Sequence, residues 1–193
     1  DASVEKILYY KKEYCREPSG RAGTVEAKKR ADYMRGKSIT QISRKLPELG
    51  NRPLFVSCPK FQAGQVSNVE LESESFAGYM SDKLGGKAII TGINPSEDEI
   101  KIVTGETFQY SSVVLGTYNA HLYRGQMAMI QALCRTAIPL TVVALRNPYD
   151  LQNIPDCVGQ LIAWDYSDMT LEALVPVLAG EQKPEGVLPV RIR

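Results

Sequence analysis

The sequence holds one histidine, one tryptophan and four phenylalanines among its 193 residues, and neither sign of charge dominates. With 23 Lys and Arg against 22 Asp and Glu the net charge is +1, which gives no electrostatic case for nucleic acid or an anionic membrane as partner. A lone imidazole and four scattered cysteines, Cys15, Cys58, Cys134 and Cys157, never in a CxxC pair, give no metal-ligand spacing and assign no disulfide. Cys58 and Cys134 fall on a strand and on an apolar helix face, where free thiols behave as small hydrophobes. No apolar run approaches the ~20 residues of a spanning helix. There is no internal repeat and no glycine-rich phosphate fingerprint, and no cofactor is expected. No signal peptide opens the sequence, but it begins at Asp1 without a methionine, so the compartment stays open, cytoplasmic or secreted.

What is present is a chain whose 44% apolar content suffices for a core, organised around Ser111 to Leu151. Val113, Val114 and Leu115 form a short apolar run stopped at Gly116, which suits a strand buried on both faces. From Gln126 the period changes: Met127, Ile130, Leu133, Cys134 and Ala137 recur at helical spacing, and Pro139 closes that helix. Leu140 to Leu145 is a second β-branched run, ended by Asn147 and Pro148. The unit is βαβ, a right-handed crossover between parallel strands, with Val113–Leu115 and Thr141–Ala144 as neighbours.

The loop inside that unit, Thr117 to Gly125, carries Tyr118, Asn119, His121, Tyr123 and Arg124. In an open parallel sheet such a loop lies at the carboxyl ends of the strands, where ligands usually bind. These five residues are candidates for substrate binding or for an interdomain contact; capping of the next helix is the structural alternative. Tyr118, Asn119 and Tyr123 could stack on and bond to a sugar, and His121 could act as acid or base, yet no Ser, Cys or carboxylate stands at a diagnostic spacing from it.

Elsewhere the pattern alternates. Val4, Ile7, Leu8 and Cys15, with the Lys11 stem among them, stripe a first helix from Ala2 to about Arg16, and Glu17 to Gly20 break it into a linker ending near Gly23. Thr24 caps a helix to Met34 with Val25, Ala27, Ala31 and Met34 as its buried side. A short strand fits Ser38 to Arg44 loosely; Leu46, Pro47 and Gly50 turn the chain into Pro53–Cys58, the first strand of the main sheet. Phe76, Tyr79, Met80 and Leu84 mark a helix stopped by Gly85-Gly86, Ala88–Ile93 a strand, and Ser96 with Glu99 a capping box. Leu161–Trp164 is a last strand, and the helix after Asp168 contains Pro176, which predicts a kink or early end. Strands alternating with helices argue an α/β fold, a three-layer αβα sandwich around a mainly parallel, doubly wound sheet of five to six strands.

GTYNAHLYRGQ, VVALRNPYDL and IAWDYSDMTLEALVPVLAGEQKPEGVLPVRI, in that order, resemble the C-terminal α/β domain of glycoside hydrolase family three, in its β-N-acetylhexosaminidase branch. The resemblance covers residues 24 to 193 and implies that 1–23 are the tail helix of a preceding (β/α)8 barrel plus linker. It also implies a function: an accessory domain of an enzyme that hydrolyses terminal N-acetyl-β-glucosaminides, with the barrel and a carbohydrate as partners. A β-glucosidase-type member and a free-standing module binding a small polar ligand are the alternatives. A homo-oligomer contact through the 2–15 helix is also open.

Glycoside hydrolysis needs two carboxylates flanking the bond. Asp150, Asp156, Asp165, Asp168 and Glu172 show no spacing that pairs two of them across a cleft, and read as caps or solvated groups. The family's barrel motifs, the lysine-histidine-phenylalanine-proline-glycine loop and the serine-aspartate nucleophile, have no counterpart here. No catalytic residue and no metal ligand is assigned, and the chain alone is expected to be inactive.

Overall fold

The structure is a computed structural model, and it describes residues 2–15, 23–61, 70–71 and 75–192. The linker expected from Glu17 to Gly20 lies outside the described residues. The chain divides into two compact units, Asp1–Tyr33 and Met34–Arg193.

The first unit holds α1 (Ala2–Tyr14) and most of α2 (Val25–Ser38). Thr24 caps α2 as expected, its hydroxyl accepting the Ala27 N–H at 3.1 Å. The buried side expected for α2 is absent: Val25 and Met34 are 75% and 70% exposed, and no residue of the helix is buried. At about 100° per residue Ala27, Ala31 and Met34 share one face and Val25 alone points half a turn away, but that face is exposed along its length. Charged residues fill the space between.

In the second unit the strands are β1 (Thr40–Gln41), β2 (Pro53–Ser57), β3 (Lys60–Phe61), β4 (Glu70–Leu71), β5 (Lys87–Ile90), β6 (Ser112–Thr117), β7 (Leu140–Ala144) and β8 (Gly159–Ile162). The helices are α3 (Phe76–Leu84), α4 (Glu97–Glu106), α5 (Arg124–Cys134) and α6 (Asp168–Leu178). Six strands make one sheet in the order β1-β8-β7-β6-β2-β5, all parallel but for β1, which pairs antiparallel with β8; β3 and β4 form a separate ribbon. β6 and β7 are adjacent, Val114 opposite Thr141, so the crossover joins neighbouring strands as the period change indicated. One residue pair precedes the expected first strand in the sheet: β1 comes before β2 in the chain, held at the far edge by β8.

Alternation along the strands separates two apolar layers. Leu54, Val56, Val113, Leu115, Val142, Ala144 and Ile162 face α4 and α5 through Val103, Met129, Ile130 and Leu133. Phe55, Val114, Val143 and Leu161 face α3 and α6 through Phe76, Met80, Leu171, Leu174 and Val177. The sheet is thus covered on both faces, the three-layer sandwich expected.

Boundaries differ in several places: β8 runs Gly159–Ile162 rather than Leu161–Trp164, and β6 continues through Gly116 to Thr117. β5 stops at Ile90, short of Ile93. α5 starts at Arg124 and ends at Cys134, well before Pro139, so Ala137 lies beyond the helix. Pro176 sits in the last turn of α6, which ends two residues later at Leu178 with Ala179 as its cap, followed by Gly180 at φ +77°. The capping box is present, Ser96 and Glu99 each accepting the other's backbone N–H.

Candidate functional site

The five parallel strands of the main sheet, β2, β5, β6, β7 and β8 in chain order, stand in space as β5-β2-β6-β7-β8. The order reverses between β2 and β6, so the carboxyl ends of those strands are the switch point where an open α/β sheet usually binds ligands. Here that position is filled from within. Gln126, buried at the start of α5, accepts the Tyr118 N–H at 3.0 Å and donates to the carbonyls of Tyr118 at 3.1 Å and Ile93 at 2.7 Å. The remaining crevice is small and lined by Ser57, Cys58, Thr91, Gly116, Thr117 and Gln126.

One strand further along, the loops after β6 and β7 meet. Each makes a 3-10 turn, Ala120–Leu122 and Pro148–Leu151. Asn119 enters the first with φ +52°, a left-handed conformation that Asn tolerates better than most residues. Asn147 caps the second, its side chain accepting the Tyr149 N–H at 3.1 Å. Asp150 is fully buried between the turns. Its Oδ1 accepts the backbone N–H of His121 at 3.2 Å and lies 2.8 Å from His121 Nδ1; its Oδ2 accepts the Thr117 hydroxyl at 3.1 Å. A carboxylate only accepts, so in the neutral ring the proton sits on Nδ1 and Nε2 keeps its lone pair. The imidazole is partly exposed, at 30%, while its partner is not exposed at all.

The other expected residues divide between interior and surface. Tyr118 is buried, its hydroxyl accepting from Arg146 at 2.6 Å and its ring 6.0 Å from that of Tyr166, so it is no free stacking platform. Tyr123 is half-buried and precedes α5, and Arg124 begins that helix on the exposed side. Neither caps it. That role falls to Asn94, whose Oδ1 accepts the Gly125 N–H at 2.8 Å. Arg146 and Tyr149, at the end of β7, are exposed beside them.

Sequence spacing did not reveal Asp150 as the partner of His121, because they lie 29 residues apart and meet only through the adjacency of β6 and β7. Asp150 is therefore not solvated: it holds a backbone N–H of the Ala120–Leu122 turn and the His121 ring together. Of the other carboxylates, Asp165 accepts from Arg35 at 2.7 Å. Burial pushes its pKa up, but hydrogen bonds from Ser167 and Thr170 and the Arg35 charge outweigh that and hold it below the usual range. Asp168 pairs with Lys60 at 2.7 Å, and Asp156 and Glu172 are exposed. Among the described residues no cluster of three His, Cys, Asp or Glu could hold a metal ion.

No family model and no curated protein matches the chain. Solved structures do. A glycoside hydrolase family 3 β-N-acetylglucosaminidase from Paenibacillus sp. str. FPU-7 superposes with a TM-score of 0.79 at 24% identity over 98% of this chain. The chain has a glycoside hydrolase family 3 domain fold. A fungal multi-domain family 3 β-N-acetylglucosaminidase gives 0.73 at 22% identity, again over 98% of the chain. A β-glucosidase from Listeria innocua gives 0.65 at 11% identity over 94%. The chain spans only 39%, 23% and 30% of these three proteins. It thus has the fold of one portion of larger family 3 enzymes.

Proposed function

We propose that this chain is the C-terminal accessory domain of a family 3 β-N-acetylhexosaminidase, an enzyme that removes terminal N-acetyl-β-glucosaminides. Residues 1–23 are the tail helix of a (β/α)8 barrel and its linker, and residues 24–193 the sandwich that supports the barrel or closes over its substrate. The observation that carries the reading is the likeness over 98% of the chain to two β-N-acetylglucosaminidases, with TM-scores of 0.79 and 0.73 against 0.65 for the β-glucosidase. The carboxylates add support: each of Asp150, Asp165 and Asp168 is engaged by a partner within this domain. So do the exposed side chains of α1, where Val4, Ile7 and Leu8 are more than half exposed and suit a barrel surface.

The strand-end residues Tyr118, Asn119, His121, Tyr123 and Arg124 belong to the side turned toward the barrel or its sugar. Expressing the longer polypeptide encoded at this locus and this 193-residue chain separately, and assaying both on an aryl N-acetyl-β-glucosaminide, tests the reading. Turnover by the longer form alone is expected. Turnover by this chain that survives repurification and is abolished by one carboxylate substitution would overturn it.

A further inference from the structure

Asp150 poses a physical question that its local bonds do not answer. The two turns need an acceptor for the His121 N–H and the Thr117 hydroxyl, and a neutral amide would serve. A carboxylate instead is buried completely, which is costly unless its charge is engaged by a specific partner. That partner is the His121 ring, fixed at 2.8 Å through Nδ1. The pair therefore specifies one orientation and one tautomer for an imidazole whose outer nitrogen, Nε2, makes no hydrogen bond among the described residues. It stands at the carboxyl ends of β6 and β7, with the exposed Tyr149 ring, Arg146 and Arg124 on the same two loops.

We infer that His121 Nε2 is a hydrogen-bond acceptor for a hydroxyl or the acetamido N–H of an N-acetylhexosaminide, and that Asp150 is its positioning residue. This deepens the accessory-domain reading above and rests on it for the class of sugar. The lone pair suits donors, which hydroxyls and secondary amides supply. The guanidinium of Arg146, tethered to the Tyr118 hydroxyl at 2.6 Å, offers donors to the sugar oxygens. The exposed face of Tyr149 can cover an apolar sugar face.

The test exploits the fact that the chain has a single histidine, so its ring nitrogens give unique NMR signals. In mildly alkaline buffer the neutral ring should carry its proton on Nδ1, and methyl N-acetyl-β-glucosaminide should move the Nε2 resonance. His121→Asn keeps a group near Nδ1 for Asp150 but loses the outer acceptor; its affinity for that glycoside should fall about tenfold. His121→Gln reaches the Nε2 position and should retain most of the affinity. A purely structural pair predicts the reverse order in thermal stability with no effect on sugar. An unmoved Nε2 signal, or equal affinities of the two variants, would overturn the inference, and a loss confined to docking with a barrel domain would assign the imidazole to a protein contact instead. The two readings fail separately. Sugar binding by this chain is measured without turnover, so an inactive longer polypeptide would sink the accessory-domain reading, whereas an active one with no Nε2 response would sink only this inference.

Discussion

The hydroxyl of Tyr166 accepts the backbone N–H of Phe76 at 2.6 Å and donates to the Cys58 carbonyl at 3.3 Å. One phenol, 7% exposed, thereby joins the end of β2 to the start of α3 from the segment that follows β8. Removing the oxygen leaves a buried donor and a buried acceptor without their partner. Tyr166→Phe should therefore cost about 1–3 kcal/mol, even though the ring and its packing remain. Urea unfolding with an unchanged m-value checks this; a midpoint equal to the parent's would mean that water reaches both groups.

This contact shows where the sequence was legible and where it was not. The period change from Val113–Leu115 to Met127–Leu133, the capping box at Ser96 and the glycine stop at Gly85 are local, and each follows from residues within a few positions of one another. The bonds Tyr166–Phe76, His121–Asp150 and Arg35–Asp165 span 90, 29 and 130 residues, and exist only because the strand order brings their loops together. Short β1 falls inside the strand loosely expected over Ser38 to Arg44, but its two-residue extent and its place in the main sheet were not legible, for a related reason. A pair of residues carries no period, and Thr40 and Gln41 are placed by β8 and by a bridge from Thr40 to Gly186. α2 differs in the opposite sense: Ala27, Ala31 and Met34 share a face at helical spacing, with Val25 opposite, yet that face is exposed, because spacing places residues on a face without supplying an element to cover it.

Gly116 in the middle of the sheet makes a second prediction. A Cβ there would stand 2.6 Å from Cδ1 and 2.9 Å from Cγ of Phe76, whose ring is completely buried between α3 and the sheet. An aromatic ring in a packed core cannot retreat by the required amount without moving its helix. Gly116→Ala should destabilise by about 1–3 kcal/mol through overpacking. Combining it with Phe76→Leu should cost less than the sum of the single changes, as read from a double-mutant cycle. Strict additivity would show that the ring is not the obstacle.

Alkaline pH supplies a third. Burial, with the Asp150 charge adding to it, pushes the Cys58 thiol from 9.0 up to about 12. Burial also raises the Tyr166 phenol well above its ordinary 10.0. Both groups are neutral when folded and ionise more readily when unfolded. Their stabilisation is complete below the unfolded values and is lost as pH rises from about 9 toward the folded values, at up to about 1.4 kcal/mol per pH unit for each. Unfolding measured across that range should show stability falling in this window, with a shallower fall in Cys58→Ala. Under native conditions a thiol reagent should label the exposed Cys15 and Cys157 and spare Cys58.

The last prediction concerns α1. Val4, Ile7, Leu8, Tyr10 and Tyr14 lie on one broad arc of the helix and are 49 to 71% exposed, while a helix of 13 residues is marginal in water without tertiary contacts. Its flanks are self-complementary in an antiparallel pair. Glu5 and Lys12 share one side of the arc and Lys6 and Glu13 the other, so a two-fold axis near Tyr9 sets each acid against a base of the second copy. The 193-residue chain should therefore self-associate with rising concentration in sedimentation velocity under reducing conditions. Ile7→Lys with Leu8→Lys should abolish the association, and Glu5→Lys with Glu13→Lys should weaken it without touching the apolar residues. In a longer polypeptide carrying the proposed barrel, the same arc is occupied and the association should vanish. A chain that stays monomeric at every concentration, with unchanged thermal unfolding after deletion of residues 1 to 20, would show that the arc packs on nothing, and that its apolar residues do not mark a contact surface.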